Sequence, residues 1–251
     1  MTTQSLRALL EGLVDYAGLF PPAALSMQDA VRNYARYRDK EHAWALGHFV
    51  IPADRAEEVP REFPLSILGI DEVKAANVDD IERIARDANG RTVYVEITDI
   101  ALLDSLARHG LRAKIRTGGV TVDAFPPIAD VARFLRACRD AGVAFKATAG
   151  LHHPLRCVKP LTYAANAPTG TMHGFLNVFL AAALLDHADE ILREGDPHAF
   201  SFDDEVASWR GHRVSTDALR TMRREFATSF GSCSFEEPIG DLRALGWLSR
   251  E

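Results

Sequence analysis

Along the chain, short runs of β-branched and aromatic residues alternate with longer stretches in which apolar residues recur every three or four positions. The short runs predict strands over residues 13–19, 47–51, 65–70, 92–97, 112–117, 143–149, 199–203 and 227–230. The longer stretches predict helices with recognisable ends. Ser26 precedes Met27-Gln28-Asp29 and the apolar positions Ala30, Val31, Tyr34 and Ala35, which is an N-cap signature. Asn77 opens a helix that runs through Ala88 and stops at Asn89-Gly90. Pro126-Pro127 begin another, through Asp140, with Gly142 just past its end. Ser215 caps a helix over 216–226, and Pro238 starts a last one through Leu245.

Eight strand–helix units in 251 residues predict an α/β fold. The expected architecture is a single (β/α)8 TIM-type barrel domain over residues 1–251, with a short N-terminal helix and a long loop after strand six. Continuous apolar runs such as Phe49-Val50-Ile51 suit parallel strands covered on both faces. An open doubly wound sheet has the same alternation and is the competing architecture. The turn after the first strand, Asp15-Tyr16-Ala17-Gly18-Leu19-Phe20-Pro21-Pro22, lacks the glycine pattern of a dinucleotide site, which favours the barrel. The long loop, residues 151–172, has no convincing period and carries Pro154, Pro160, Pro168 and Gly170. At the C-terminal rim of a barrel such a segment reads as a lid.

Composition narrows the function. A hydrophobic fraction of 47% with 25% charged residues describes an ordinary folded protein rather than a disordered one. Lys+Arg 29 against Asp+Glu 35 gives a net charge of −6 with no basic block, which argues against nucleic acid as a partner. Three cysteines without a CxxC pair form neither a disulfide framework nor a zinc ribbon and suit a reducing compartment. The opening residues carry no signal-peptide pattern, and the most apolar stretch, 175–185, is short and interrupted by Asn177. The expectation is a cytoplasmic protein that acts on a small anionic metabolite and has no membrane partner. A homo-oligomer is left open.

Charge inside the strands is the most informative feature. Alternation puts Lys114 and Arg116 on one face of Arg112-Ala113-Lys114-Ile115-Arg116-Thr117, and Lys146 and Thr148 on one face of the next strand. Glu96 falls near the end of the strand before them. A cation inside a barrel is costly unless it is paired or solvated at the rim. Glu96, Lys114 and Lys146 are therefore expected to form one cluster, with Arg116 above it facing a ligand. The competing placements turn these side chains outward, snorkelling to water, or leave a purely structural ion pair. The strands end in Thr117-Gly118-Gly119 and Thr148-Ala149-Gly150, small residues that admit a substrate to the backbone. Tyr16, at the end of the first strand, is a candidate orienting hydroxyl. Ser232 and Ser234, running into the last helix, occupy the place where barrels bind anions.

Histidines supply the second constellation. His152 and His153 follow the second cationic strand, and His173 precedes the helix near Gly174. They read as backbone-bonded loop residues, as acid–base groups, or as ligands of a divalent metal completed by Glu96 or Asp15.

Lys146-Ala147-Thr148-Ala149-Gly150 resembles the strand-six lysine motif of class I aldolases, the deoxyribose-phosphate aldolase type in particular. Lys114-Ile115-Arg116-Thr117-Gly118-Gly119 resembles the second lysine strand of that family, although here it comes first in the chain. The resemblance covers a few residues in two strands. It implies a lyase of aldolase type, without a cofactor, that acts on an anionic carbonyl compound at the barrel rim. Lys146 would then form the imine, Lys114 would lower its pKa by like-charge proximity, and Glu96 would move protons. The alternative is an isomerase, dehydratase or hydrolase. It would use Glu96, His152 and His173 for acid–base or metal-assisted chemistry, with Lys114, Lys146 and Arg116 clamping a carboxylate. A third reading is a non-catalytic barrel that kept a ligand pocket.

Overall fold

The computed structural model describes residues 2–249. Seven parallel strands come first in the chain: β1 (Val14–Tyr16), β2 (Leu46–Pro52), β3 (Leu65–Leu68), β4 (Glu72–Lys74), β5 (Tyr94–Glu96), β6 (Arg112–Arg116) and β7 (Phe145–Thr148). An antiparallel hairpin follows, β8 (Cys157–Pro160) with β9 (Thr169–Met172), and then a three-stranded sheet of β10 (Phe200–Phe202), β11 (Val206–Trp209) and β12 (His212–Ser215). The last strand, β13 (Ala227–Ser232), pairs with both β7 and β1 and closes an eight-stranded parallel barrel. The fold is the α/β barrel that the alternation predicts.

Helices surround it, and their ends follow the expected signals. Ser26 Oγ accepts from Asp29 N at 3.1 Å at the start of α2 (Met27–Arg38), which follows the N-terminal α1 (Gln4–Leu10). Asn77 caps α3 (Val78–Ala88), and Asn89 ends it in the left-handed region. After α4 (Leu103–Arg108), Pro127 precedes α5 (Ile128–Asp140). Then come α6 (Phe175–Ala183) and α7 (Ala188–Arg193). Ser215 caps α8 (Thr216–Glu225), and α9 (Glu236–Ala244) begins two residues before Pro238. None of the helices among the described residues is long and apolar enough to cross a membrane.

Two strands are assigned differently from the sequence expectation. The run expected over 199–203 holds β10 (Phe200–Phe202), which lies outside the barrel. Asp203 Oδ1 accepts from Glu205 N and Val206 N, so the chain reverses at once into an antiparallel hairpin. Arg210 and Gly211, both at positive φ, form a two-residue turn between β11 and β12. The missing barrel strand is β4. The expected run over 65–70 stops at Leu68, where Gly69 takes φ +91° and Asp71 N donates to Ile67 O at 2.7 Å. The chain steps sideways and resumes parallel to β3 with no helix between them, pairing Leu68 with Glu72.

This substitution shifts the strand count. Lys114 stands on the sixth barrel strand and Lys146 on the seventh, and the long segment 151–172 follows the seventh and carries the β8–β9 hairpin.

Candidate active site

Strand alternation turns apolar residues outward against the helices and polar ones inward. On β1, Tyr16 packs among Tyr34, Tyr37 and Phe49, so Asp15 points into the barrel. On β7, Phe145 contacts Phe134, Phe179 and Phe226, so Lys146 points inward. Barrels of this kind are usually filled with branched apolar side chains. Here the interior is a column of polar groups.

Its lowest layer joins Arg112 Nη1 to Tyr94 OH at 2.9 Å and Tyr94 OH to Thr228 Oγ1 at 2.8 Å. Above it, Lys146 Nζ donates to Asp15 Oδ2 at 2.7 Å and to Glu72 Oε1 at 2.6 Å, with all three side chains almost wholly buried. Ser229 Oγ donates to Asp15 Oδ2 at 2.7 Å, and Ser66 Oγ to Glu72 Oε1 at 2.6 Å. His48 N donates to Asp15 Oδ1 at 2.8 Å. A side chain at position 47 would collide with that carboxylate, which is why Gly47 stands there. Nearest the mouth, Lys114 Nζ lies 3.1 Å from Glu72 Oε2 and 3.2 Å from Glu96 Oε2, and Arg116 Nε lies 3.2 Å from Glu96 Oε1.

Desolvation alone would discharge these groups. Burial pushes the Asp15 carboxyl up, but the Lys146 charge and the bonds from His48 outweigh it and hold the acid well below the usual carboxylate range. Burial opposes ionisation of Glu72 likewise, and Lys146 and Lys114 reverse it. For Glu96 the reversal comes from Lys114 and Arg116. Burial pulls the Lys146 ammonium down, whereas Asp15 and Glu72 together drive it above its ordinary value. Lys146 is a fixed cation.

A cavity of about 390 Å³ opens at the C-terminal ends of the strands. Phe20, Pro21, Pro22, Val50 and Leu68 make an apolar wall; Lys114, Arg116, Thr148 and His152 face it, with Glu72 also among the lining residues. The expected cluster of Glu96, Lys114, Lys146 and Arg116 is thus brought together, with Lys146 beneath the lining rather than in it. Glu72 and Asp15 complete it. Glu72 was absent from the sequence-derived site; its only signal is the alternation Glu72-Val73-Lys74 directly after the Gly69 turn.

Several expected site residues sit elsewhere. Tyr16 is 1% exposed in its aromatic cluster, its hydroxyl is pushed up to about 12 by burial, and it does not line the cavity. Thr117 donates to Ala149 O at 2.7 Å, tying together the turns after β6 and β7. Gly118 and Gly150 are where those turns touch: a Cβ on Gly150 would lie 2.7 Å from Gly118 Cα. Of these small residues, Gly119, Ala149 and Gly150 border the cavity. Ser232 Oγ accepts from Ser234 N at 3.3 Å, and Ser234 Oγ accepts from Glu237 N at 3.1 Å at the start of α9. Their neighbours Gly231 and Cys233 line the cavity instead. The register against β7 slips between Ala227 and Phe230, and this bulge sets which residues of β13 face inward.

The three histidines diverge. His152 lines the cavity and its Nδ1 lies 3.1 Å from Glu237 Oε2. His153 Nδ1 pairs with Asp241 Oδ2 at 2.6 Å on α9. His173 is buried, its Nε2 donating to Pro126 O at 2.8 Å, and burial pulls its imidazole below its ordinary value. Among the described residues, no group of three or more His, Cys, Asp or Glu is arranged to hold a metal ion. No protein-family model matches the chain, and no curated protein matches it.

Proposed function

We propose that the protein is a lyase of aldolase type that acts on a small anionic carbonyl compound through an imine on Lys114. The observation that carries this reading is the placement of the two lysines: Lys114 lines the cavity, whereas Lys146 lies below it, held by two carboxylates. The two motifs carry the opposite assignment, with the imine on Lys146; the position of Lys114 on the sixth strand, with Lys146 on the seventh and beneath the cavity lining, supports moving it to Lys114.

The chemistry balances with the residues present. Lys114 passes a proton to Glu96, 3.2 Å away, and its lone pair attacks the substrate carbonyl. The carbonyl oxygen leaves as water, so that an ammonium and a ketone or aldehyde give a protonated imine and one water. When the bond between the α- and β-carbons breaks, its electron pair enters the imine as an enamine. The β-hydroxyl becomes the carbonyl of the departing aldehyde, and its proton goes to His152 across the cavity. Arg116, a half-exposed guanidinium at the mouth, receives the anionic group.

A second reading is favoured by one observation, the ion pairs that Lys114 makes on both sides with Glu72 and Glu96. In it Lys114 stays a fixed cation and clamps a carboxylate while Glu96 and His152 move protons in an isomerase, dehydratase or hydrolase. Borohydride reduction in the presence of a panel of small oxo acids, sugar phosphates and neutral aldehydes, followed by peptide mass spectrometry, decides between them. The imine reading expects a reduced adduct on Lys114 that disappears in Lys114→Met. Absence of any adduct at Lys114 across the panel overturns it.

A further inference from the structure

Residues at the barrel rim, apart from the charged column, converge on a single oxygen. Glu237 Oε2 lies 3.1 Å from His152 Nδ1 and accepts from Tyr163 OH at 2.8 Å. Glu237 belongs to the first turn of α9, His152 to the segment after β7, and Tyr163 to the tip of the β8–β9 hairpin. Three separate pieces of chain therefore meet beside His152, which lines the cavity, and Cys233 Sγ, another lining residue, lies 3.7 Å from the Tyr163 hydroxyl. His153 faces the same helix through Asp241. Burial pushes the Glu237 carboxyl up, and the bonds from His152 and Tyr163 outweigh it, so the group is an ionised acceptor.

An ionised carboxylate on Nδ1 dictates the imidazole tautomer. It accepts but cannot donate, so the neutral ring keeps its proton on Nδ1 and leaves a lone pair on Nε2. His152 Nε2 makes no hydrogen bond to the described residues, and the ring borders the cavity.

We propose that Glu237 is a positioning residue that fixes His152 as a proton acceptor with Nε2 directed at the bound substrate, and that Tyr163 fastens the hairpin to the same carboxylate. The inference rests on the acid–base role given to His152 above and extends it to the groups that set its orientation. It also narrows the substrate: a base held there accepts a proton from a hydroxyl, which suits a β-hydroxy carbonyl compound.

The test is spectroscopic and needs no substrate. Protein labelled with 15N in its histidines is examined at neutral pH by long-range 1H–15N correlation, which distinguishes the two neutral tautomers. Wild type is expected to show His152 protonated on Nδ1. Tyr163→Phe keeps that form, because Glu237 still accepts from the ring, whereas Glu237→Ala loses the preference and populates the Nε2-protonated form. A wild-type His152 protonated on Nε2 overturns the proposal without any variant, and so does a tautomer unchanged in Glu237→Ala. A missing borohydride adduct on Lys114 alongside the expected tautomer would remove the imine and leave the positioning role standing.

Discussion

Lys114 and Lys146 are bound by the two oxygens of one carboxylate: Glu72 Oε2 lies 3.1 Å from Lys114 Nζ, and Glu72 Oε1 lies 2.6 Å from Lys146 Nζ. They also face each other across neighbouring strands in direct register. The two cations differ in what lies on their other side. Lys146 has Asp15, buried to the same degree, while Lys114 has Glu96 and the cavity. One glutamate thus joins an enclosed ion pair to one that borders the cavity.

The structural half predicts a large stability cost. Lys146→Met leaves Asp15 and Glu72 facing each other in the interior without their shared cation, and breaking a buried pair in this way costs about 3–5 kcal/mol. Urea unfolding followed by circular dichroism should show that loss at pH 7. A variant within about 0.5 kcal/mol of wild type would mean that water reaches the cluster.

The same groups give stability a defined pH window. Asp15 and Glu72 ionise below their ordinary values of 3.8 and 4.5, so their contribution is complete above those values and is lost as pH falls through the folded ones. Lys146 is raised above 10.5, so its contribution is complete below that value and is lost as pH rises through the folded one. Between about pH 5 and 10 these three groups leave the contribution flat, and the slope there comes from His48, whose imidazole Asp15 holds above its ordinary 6.5, so that its part is complete below that value and is lost as pH rises through the folded one. Asp15→Asn should be less stable than wild type at pH 7, with the gap narrowing below about pH 4. Denaturant midpoints measured across that range check it, and a gap independent of pH contradicts the assignment.

What the sequence disclosed follows from period and punctuation. Lys114, Arg116 and Lys146 were legible because a period of two in an otherwise apolar strand leaves a cation no place but the interior. Helix ends at Ser26, Asn77 and Ser215 were legible from their caps. The seventh predicted strand failed because β-rich composition at Phe200–Phe202 does not say parallel or antiparallel; the decisive signals were Asp203 and the Arg210-Gly211 turn. Glu72 was missed because three residues after a sideways step carry too little pattern to read as a strand. Ser232 and Ser234 were given a cavity role that their neighbours hold, because a bulge is invisible to alternation. Glu237 and Tyr163 reach the rim through tertiary packing alone.

The contact between the turns after β6 and β7 is open to a backbone test. Gly150 has φ +77°, and a methyl group there would meet Gly118 Cα at 2.7 Å and Phe125 Cε1 at 2.9 Å. Gly150→Ala carries both the conformational cost of about 1–3 kcal/mol and the cost of separating the turns. Thermal denaturation should register a clear fall in Tm. Gly90→Ala, also at positive φ but with open space around the added methyl, should fall less. Equal falls would show that the turns yield without penalty.

Arg116 provides the last prediction, because its role depends on charge rather than packing. Its side chain is 47% exposed, and its bonds to Glu96, at 3.2 and 3.4 Å, are long for a charge-assisted pair. Exchanging one such contact for a substrate anion brings about 1.5–3 kcal/mol of hydrogen bonding to a charged group. Removing it should therefore weaken capture of an anionic carbonyl compound by roughly tenfold or more, at 1.4 kcal/mol per decade. In Arg116→Gln, the concentration of a carboxylate- or phosphate-bearing carbonyl that half-saturates borohydride trapping on Lys114 should rise by that factor. A neutral aldehyde of similar size should trap as in wild type. If both rise together, Arg116 acts by holding Glu96 beside Lys114 and takes no part in recognising the anion.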